Sequence, residues 1–281
     1  SYVRTLGRAI STPYEPYEHI GVQDEQGNFK QLNTSLLQIE NEFYSAIRPK
    51  RTAQKGETAL TALCRRGVEY IEVRCLDIDP FSPTGVSAAQ VRFLDTFLIY
   101  CALQDSPPCD TAEFQLILAN QKTVVTEGRH PGAQLRTRTG ETLSLQTWGS
   151  ELLDALQPIA ELLDQVHGGS DYIDAWREQS ARMADPEQTP SARVLRELRA
   201  QGLTFHQWAM QQSQAHREHF LAHPLSPRQE KRYADMAEES LAQQAEEESR
   251  PQGSFATYLR AYYEQYRECC GGQSQTSGDN C

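Results

Sequence analysis

Gly67-Val68-Glu69-Tyr70-Ile71-Glu72-Val73-Arg74-Cys75-Leu76 reads as an extended strand. Val68, Tyr70, Ile71 and Val73 are β-branched or aromatic residues that favour extended backbone. Side chains alternate across a strand, so Ile71, Val73 and Cys75 share an apolar face while Tyr70, Glu72 and Arg74 share the other. The apolar face needs a cover. After the proline-bearing loop Asp77–Pro83, an apolar helix capped at Ser87 and running to about Leu103 is the nearest candidate. Upstream, a short helix is expected over Leu60–Arg66, and Pro49 is expected to end any regular element within residues 36–51. Residues 20–29 carry a hairpin signal around Asp24-Glu25-Gln26-Gly27-Asn28, and Tyr2–Ile10 reads as a helix.

From about residue 113 the signals turn helical. Candidate helices are Trp148–His167, Asp171–Ala184, Ser191–Gln201, Thr204–His223, Ser226–Ser249 and Ser254–Glu268. Several begin at Ser or Thr caps, and Pro186, Pro190, Pro224, Pro227 and Pro251 punctuate the gaps. The fold class is α+β, with residues 1–110 carrying the sheet, 111–268 mainly helical, and 269–281 a Gly- and Ser-rich tail expected to be disordered.

The 281 residues suffice for a real core, and 38% hydrophobic against 23% charged is a globular composition. A net charge of -11 argues against nucleic acid as a partner, because the bulk field repels phosphates. The most apolar run, Phe97–Leu103, is too short to cross a bilayer, and residues 1–4 lack the apolar core of a signal peptide. A cytoplasmic, non-membrane protein is expected. Seven cysteines at irregular spacing, with no CxxC pair, support neither a structural zinc site nor a thioredoxin-like motif, and free thiols in a reducing compartment are expected. Because Ser1 opens directly into a helical pattern with no cap, a piece of a longer protein is expected.

Glu72 and Arg74, two apart on one strand, point the same way. A hard carboxylate suits Mg²⁺ and a forked guanidinium suits phosphate oxygens. Alternation alone favours the plainer reading of a solvated face, since antiparallel sheets often have one wet side. Arg48, Lys50 and Arg51 beside Tyr44 form a short basic run that either grips an anion or is a solvated loop. His216, His219 and His223 fall at helical spacing on one face, but one element rarely supplies a whole metal site, and Glu218 does not complete an HExxH pattern. No Walker A loop, GxGxxG or GxSxG is present.

Gln31-Leu32-Asn33-Thr34-Ser35-Leu36-Leu37-Gln38-Ile39-Glu40-Asn41-Glu42-Phe43-Tyr44, running into Ile47-Arg48-Pro49-Lys50-Arg51, closely resembles a block of the proteobacterial glutamate–cysteine ligases. Val68 through Pro83 and Gln90-Val91-Arg92-Phe93-Leu94-Asp95 are similar to the same family, at matching spacing. Glu127-Gly128-Arg129 with Pro131-Gly132, and Ser191-Ala192-Arg193-Val194-Leu195, are looser echoes. Cys75 stands where Ser is common and Asp79 where Asn is common.

The resemblance implies part of a glutamine-synthetase-like antiparallel catalytic sheet followed by a mainly helical C-terminal region. It also implies ATP-dependent ligation of the L-glutamate γ-carboxylate to L-cysteine through γ-glutamyl phosphate, the first step of glutathione biosynthesis, with Mg²⁺, or Mn²⁺ in its place, as the metal. By position in the motif, Glu72 is a metal ligand, Arg74 holds the transferred phosphate, Tyr44 contacts cysteine, and Arg48 and Lys50 lie near the nucleotide. The family's N-terminal half has no counterpart here, so the chain alone is expected to be inactive. A sister ligase taking another amine, or an interaction module, are the alternatives.

Overall fold

The computed structural model describes residues 2–251 and 253–271. It is mostly helical, with two small antiparallel two-stranded sheets among the described residues, which bears out the α+β expectation. In chain order, α1 (Tyr2–Ser11), α2 (Glu15–Ile20), β1 (Ile47–Lys50), α3 (Ala59–Arg66) and β2 (Tyr70–Val73) come first. Then follow α4 (Ala88–Leu103), α5 (Thr111–Glu127), β3 (Gln134–Arg136), β4 (Thr142–Ser144), α6 (Leu145–His167), α7 (Asp171–Ala184), α8 (Pro190–Gln201) and α9 (Phe205–Ala222). The chain closes with α10 (Pro227–Ser249) and α11 (Phe255–Gly271). Residues 272–281, within the expected tail, lie outside the described residues.

The chain forms two compact units. One comprises Ser1–Asp77 with Pro227–Cys281, the other Ile78–Ser226. The boundary falls at Asp77 rather than near residue 110, and the last helices rejoin the first unit. The physical reason is the core of that unit: Leu6 and Ile10 of α1, Leu60 of α3 and Tyr266 of α11 bury together, with Tyr2, Val3, Leu37, Phe43, Tyr262 and Tyr263 packed around them. Gln265 fastens α11 to the loop before α3. Its Oε1 accepts from the Thr58 amide at 2.9 Å and its Nε2 donates to the Gly56 carbonyl at 2.9 Å. Glu40 lies buried at the start of α3, where its carboxylate accepts from the amides of Ala59 (2.6 Å) and Leu60 (2.8 Å), meeting orphan donors that every helix start leaves open.

β1 and β2 pair antiparallel, with Arg48 opposite Glu72 and Pro49 opposite Ile71. Pro49 thus sits inside a strand rather than ending one. The Arg74 amide donates to the Ala46 carbonyl at 2.7 Å, so the pair 46–74, and by alternation 48–72, is hydrogen-bonded, and 49–71 is not. The missing Pro49 N–H therefore falls on the side that faces away from β2, where proline is tolerated. The hairpin signal at 20–29 survives as a single bridge, Gln23 to Phe29, with Asp24 carboxylate oxygens accepting from Gln26 and Asn28.

The second unit is a helical packing built on α4, α6 and α7. Thr96, Leu153, Leu156, Ala160 and Ala175 are buried in it. Ser87 and Gln90 form a reciprocal capping box at the head of α4. Asp164, near the end of α6, accepts from the amides of Tyr172 and Ile173, both at 2.9 Å, and so caps α7. Gly149 of α6 lies against Met183 of α7, where a Cβ would overlap the thioether, so glycine permits the close approach there. Trp208 of α9 is buried, its Nε1 donating to Glu197 of α8 at 2.8 Å.

The apolar strand face is a correction to the expected packing. Helix α4 packs on α6 and α7, and Ile71 is 44% exposed, with Cys75 exposed as well. The alternation assigned the faces, but burial requires a partner that periodicity does not name. Among the described residues no helix is long and apolar enough to cross a membrane.

Candidate active site

The β1–β2 ribbon gathers the charged residues. Directly opposed residues of an antiparallel pair share a face, so Arg48 and Glu72 project together, and Lys50, two further along β1, joins them. Lys50 Nζ lies 3.4 Å from Glu72 Oε2, and Arg74 Nε lies 3.5 Å from Glu72 Oε1. The Arg74 guanidinium stands 5.0 Å over the ring of Tyr44, a cation–π contact that steadies an otherwise exposed aromatic. Four of the residues singled out from sequence thus surround Glu72 or its partner Arg74: Tyr44, Arg48, Lys50 and Arg74.

Two atoms in the group are sealed from solvent without a hydrogen-bond partner, Glu72 Oε2 and Arg48 Nε. Lys50 approaches Oε2 as a charge but not in hydrogen-bonding geometry. A buried carboxylate oxygen left in that condition is costly, and oxygen ligation of a hard divalent cation is the chemistry it fits. As a ligand, Glu72 would be only one of the several such an ion takes. No group of three or more His, Cys, Asp or Glu among the described residues is arranged for a metal, so the other oxygens must come from phosphate, water or protein outside this group. Three cations face a single carboxylate on this side of the ribbon, which favours a polyanion despite the acidic total.

Two neighbours escaped the sequence reading. Tyr2 of α1 packs edge-on against Phe43, ring centroids 5.9 Å apart. Burial pushes its phenol pKa up, and Arg48 pulls it partly back. Burial likewise raises the pKa of Glu40, against the hydrogen bonds from Leu60 and Ala59. Glu40 falls inside the first family-like block, the only signal that pointed toward it; Tyr2 has none.

The three histidines do not form a metal site. His216 Nε2 lies 2.8 Å from the Pro80 carbonyl, and His223 Nδ1 lies 2.8 Å from the His219 carbonyl. Cys75, Cys101 and Cys109 are free, as expected, whereas Cys64 is disulfide-bonded.

Residues 1–124 match the family model described as glutamate-cysteine ligase. The glutamate–cysteine ligase of Saccharophagus degradans is 54% identical over 270 residues, covering 96% of this chain and 51% of that protein. That of Azotobacter vinelandii is 50% identical over 262 residues, covering 93% and 49%. The crystal structure of the Francisella tularensis glutamate–cysteine ligase in complex with AMP superimposes with a TM-score of 0.87 at 32% identity, over 96% of this chain and 53% of that one. The chain spans about half the length of the curated relatives it matches. On sequence and fold together, the chain belongs to the glutamate–cysteine ligase family.

Proposed function

We propose that this chain supplies the phosphate-gripping and cysteine-facing part of an ATP-dependent ligase that joins the γ-carboxylate of L-glutamate to L-cysteine, the first step of glutathione biosynthesis. The observation that carries the reading is Glu72, one carboxylate oxygen of which is sealed from solvent, on a ribbon face shared with Arg48, Lys50 and Arg74. An AMP-bound relative of the same fold is in keeping with a nucleotide beside it.

In the first half-reaction a γ-carboxylate oxygen of glutamate attacks the γ-phosphorus of ATP and ADP leaves. Charge spreads over the three equatorial oxygens of the moving phosphoryl group. Arg74, already steered by Glu72 and Tyr44, offers paired N–H donors to those oxygens. Arg48 and Lys50 meet the remaining nucleotide phosphates. Glu72 would hold Mg²⁺, or Mn²⁺ in its place, and the ion would supply charge neutralisation at the phosphates. In the second half-reaction the cysteine amine attacks the acyl carbon of γ-glutamyl phosphate. The C–O bond to phosphate breaks, phosphate departs, and the amine loses a proton. Tyr44, an exposed ring held by a cation, positions cysteine for that attack. The remaining carboxylates and most of the glutamate site belong to the half of the enzyme that this chain does not match, so the chain alone turns over little or not at all. The cytoplasm, with its ATP and reduced cysteine, is the compartment this chemistry needs.

The test joins this chain to the remaining half of the Saccharophagus degradans relative and measures ADP release with glutamate and Mg-ATP, with and without cysteine. Cysteine-dependent release with γ-glutamylcysteine as product is the expected result. A hybrid that ignores cysteine and responds to another amine moves the chain to a sister ligase with the same phosphate chemistry.

A further inference from the structure

The two looser family-like segments, around Glu127-Gly128-Arg129 and Ser191–Leu195, play no part in the ribbon site. Both reach one cleft in the helical unit, of about 360 Å³, lined by Arg129, Glu187, Ala192, Leu195, Arg196 and Arg199. Arg129 follows the end of α5. Arg196 and Arg199 are three apart on α8 and so share a face of that helix. Three guanidinium groups meet one carboxylate in a chain whose total is -11.

That carboxylate does not use them up. Glu187 lies 3.8 Å from Arg129 Nη1 and 3.9 Å from Arg196 Nη1, too far to hydrogen-bond, and its side chain is 71% exposed, the setting in which an ion pair contributes little. Arg196 Nη1 donates to the Glu187 carbonyl at 3.2 Å. Among the described residues, the side chains of Arg129 and Arg199 make no hydrogen bond. Guanidinium has five N–H donors in a planar fork, so most of the donors around the cleft are uncommitted. One exposed carboxylate does not balance three guanidinium charges, and an anion between them lowers the repulsion that remains.

We propose that this cleft is a second anion site, separate from the ribbon residues, and that it takes a compact multivalent oxyanion of the phosphate class. Arg129, Arg196 and Arg199 hold the oxygens, while Ala192 and Leu195 supply an apolar wall on which the body of a phosphate monoester can rest. The assignment does not depend on the ligase reading.

The experiment titrates the intact 281-residue chain with inorganic phosphate by calorimetry, at fixed ionic strength made up with chloride. Saturable binding is expected, weakened at least about tenfold by Arg199→Gln and by Arg129→Gln, since each removes charge-assisted donors, and persisting at this cleft when Arg74→Gln has removed the ribbon's own phosphate contact. Both substitutions are at surface positions, and an unaltered melting curve shows that they leave the fold intact. Phenyl phosphate binding more tightly than inorganic phosphate would assign the cleft to monoesters, and equal binding would assign it to free phosphate; either supports the site. Absence of saturable binding, or binding that ignores both arginine substitutions, or binding lost only with Arg74→Gln, overturns it.

Discussion

Glu40 and Asp164 do the same job in the two units, each reaching from one element to cap the first amides of the next helix. The surroundings differ. Around Asp164, α4, α6 and α7 find their partners inside the unit, and Leu156 and Ala160 are wholly buried. Around Glu40 the helices pack, but the β1–β2 ribbon shows one face of charged residues and another whose Ile47 and Ile71 are about half exposed. The helical unit spends its sequence on self-packing. The ribbon instead leaves both its charged and its apolar side chains partly open.

The sharpest way to break this contrast is Glu72→Gln in the hybrid ligase. Turnover should fall at least about 100-fold, the loss typical when an electrostatic contact to a reacting group is removed, while the melting curve hardly moves. A folded variant with normal turnover removes Glu72 from the mechanism, and a collapsed one makes the ribbon structural. Next in size, Leu156→Ala should destabilise the helical unit by about 2–5 kcal/mol, whereas Ile71→Ala should cost under about 1 kcal/mol in the isolated chain because its site is already wet. Denaturant melts of both variants decide it, and an equal cost would mean that the ribbon face is covered after all.

A smaller effect compares the caps. Glu40→Ala and Asp164→Ala each strand two helix-start amides, and should each cost about 1–3 kcal/mol. If only one does, the caps are not equivalent. The smallest effect is the pH dependence that Glu57 and Glu40 give the first unit. The Arg66 guanidinium holds the Glu57 carboxyl down to about 2, from an ordinary 4.5. A depressed carboxylate pKa gives stability that is full above about 4.5 and lost as pH falls toward 2. Glu40 runs the other way. Its raised pKa makes ionisation unfavourable in the folded state, so its contribution fades as pH rises from 4.5 through the folded value. Acid titration of stability should show a shallower low-pH slope in Glu57→Gln than in the parent, the other depressed carboxyls keeping the rest.

Local signals were legible where one element answers to itself. Asp171–Ala184 was read from sequence with both bounds as observed, and Ser87 caps α4 as expected. Period two placed Glu72 and Arg74 on one side. Helix α5 and the β3–β4 pair went unnoticed, α5 because its apolar Phe114, Ile117 and Val125 lie exposed and trace no buried stripe. The sealed state of Glu72 Oε2 was not legible at all. It depends on register with β1, a pairing across residues distant in sequence, and the family-like blocks marked the participants without stating their geometry.

Pro49 carries a consequence for how the ribbon assembles. A slip of one residue between the strands would turn the missing N–H of Pro49 toward β2, where a donor is required, and would send Arg48 and Lys50 to the opposite side from Glu72. A ribbon misaligned by one residue would therefore forfeit a ladder bond at the same moment as it scattered its charges. Proline here acts as a proofreader, making the wrong alignment the less stable one before any substrate arrives.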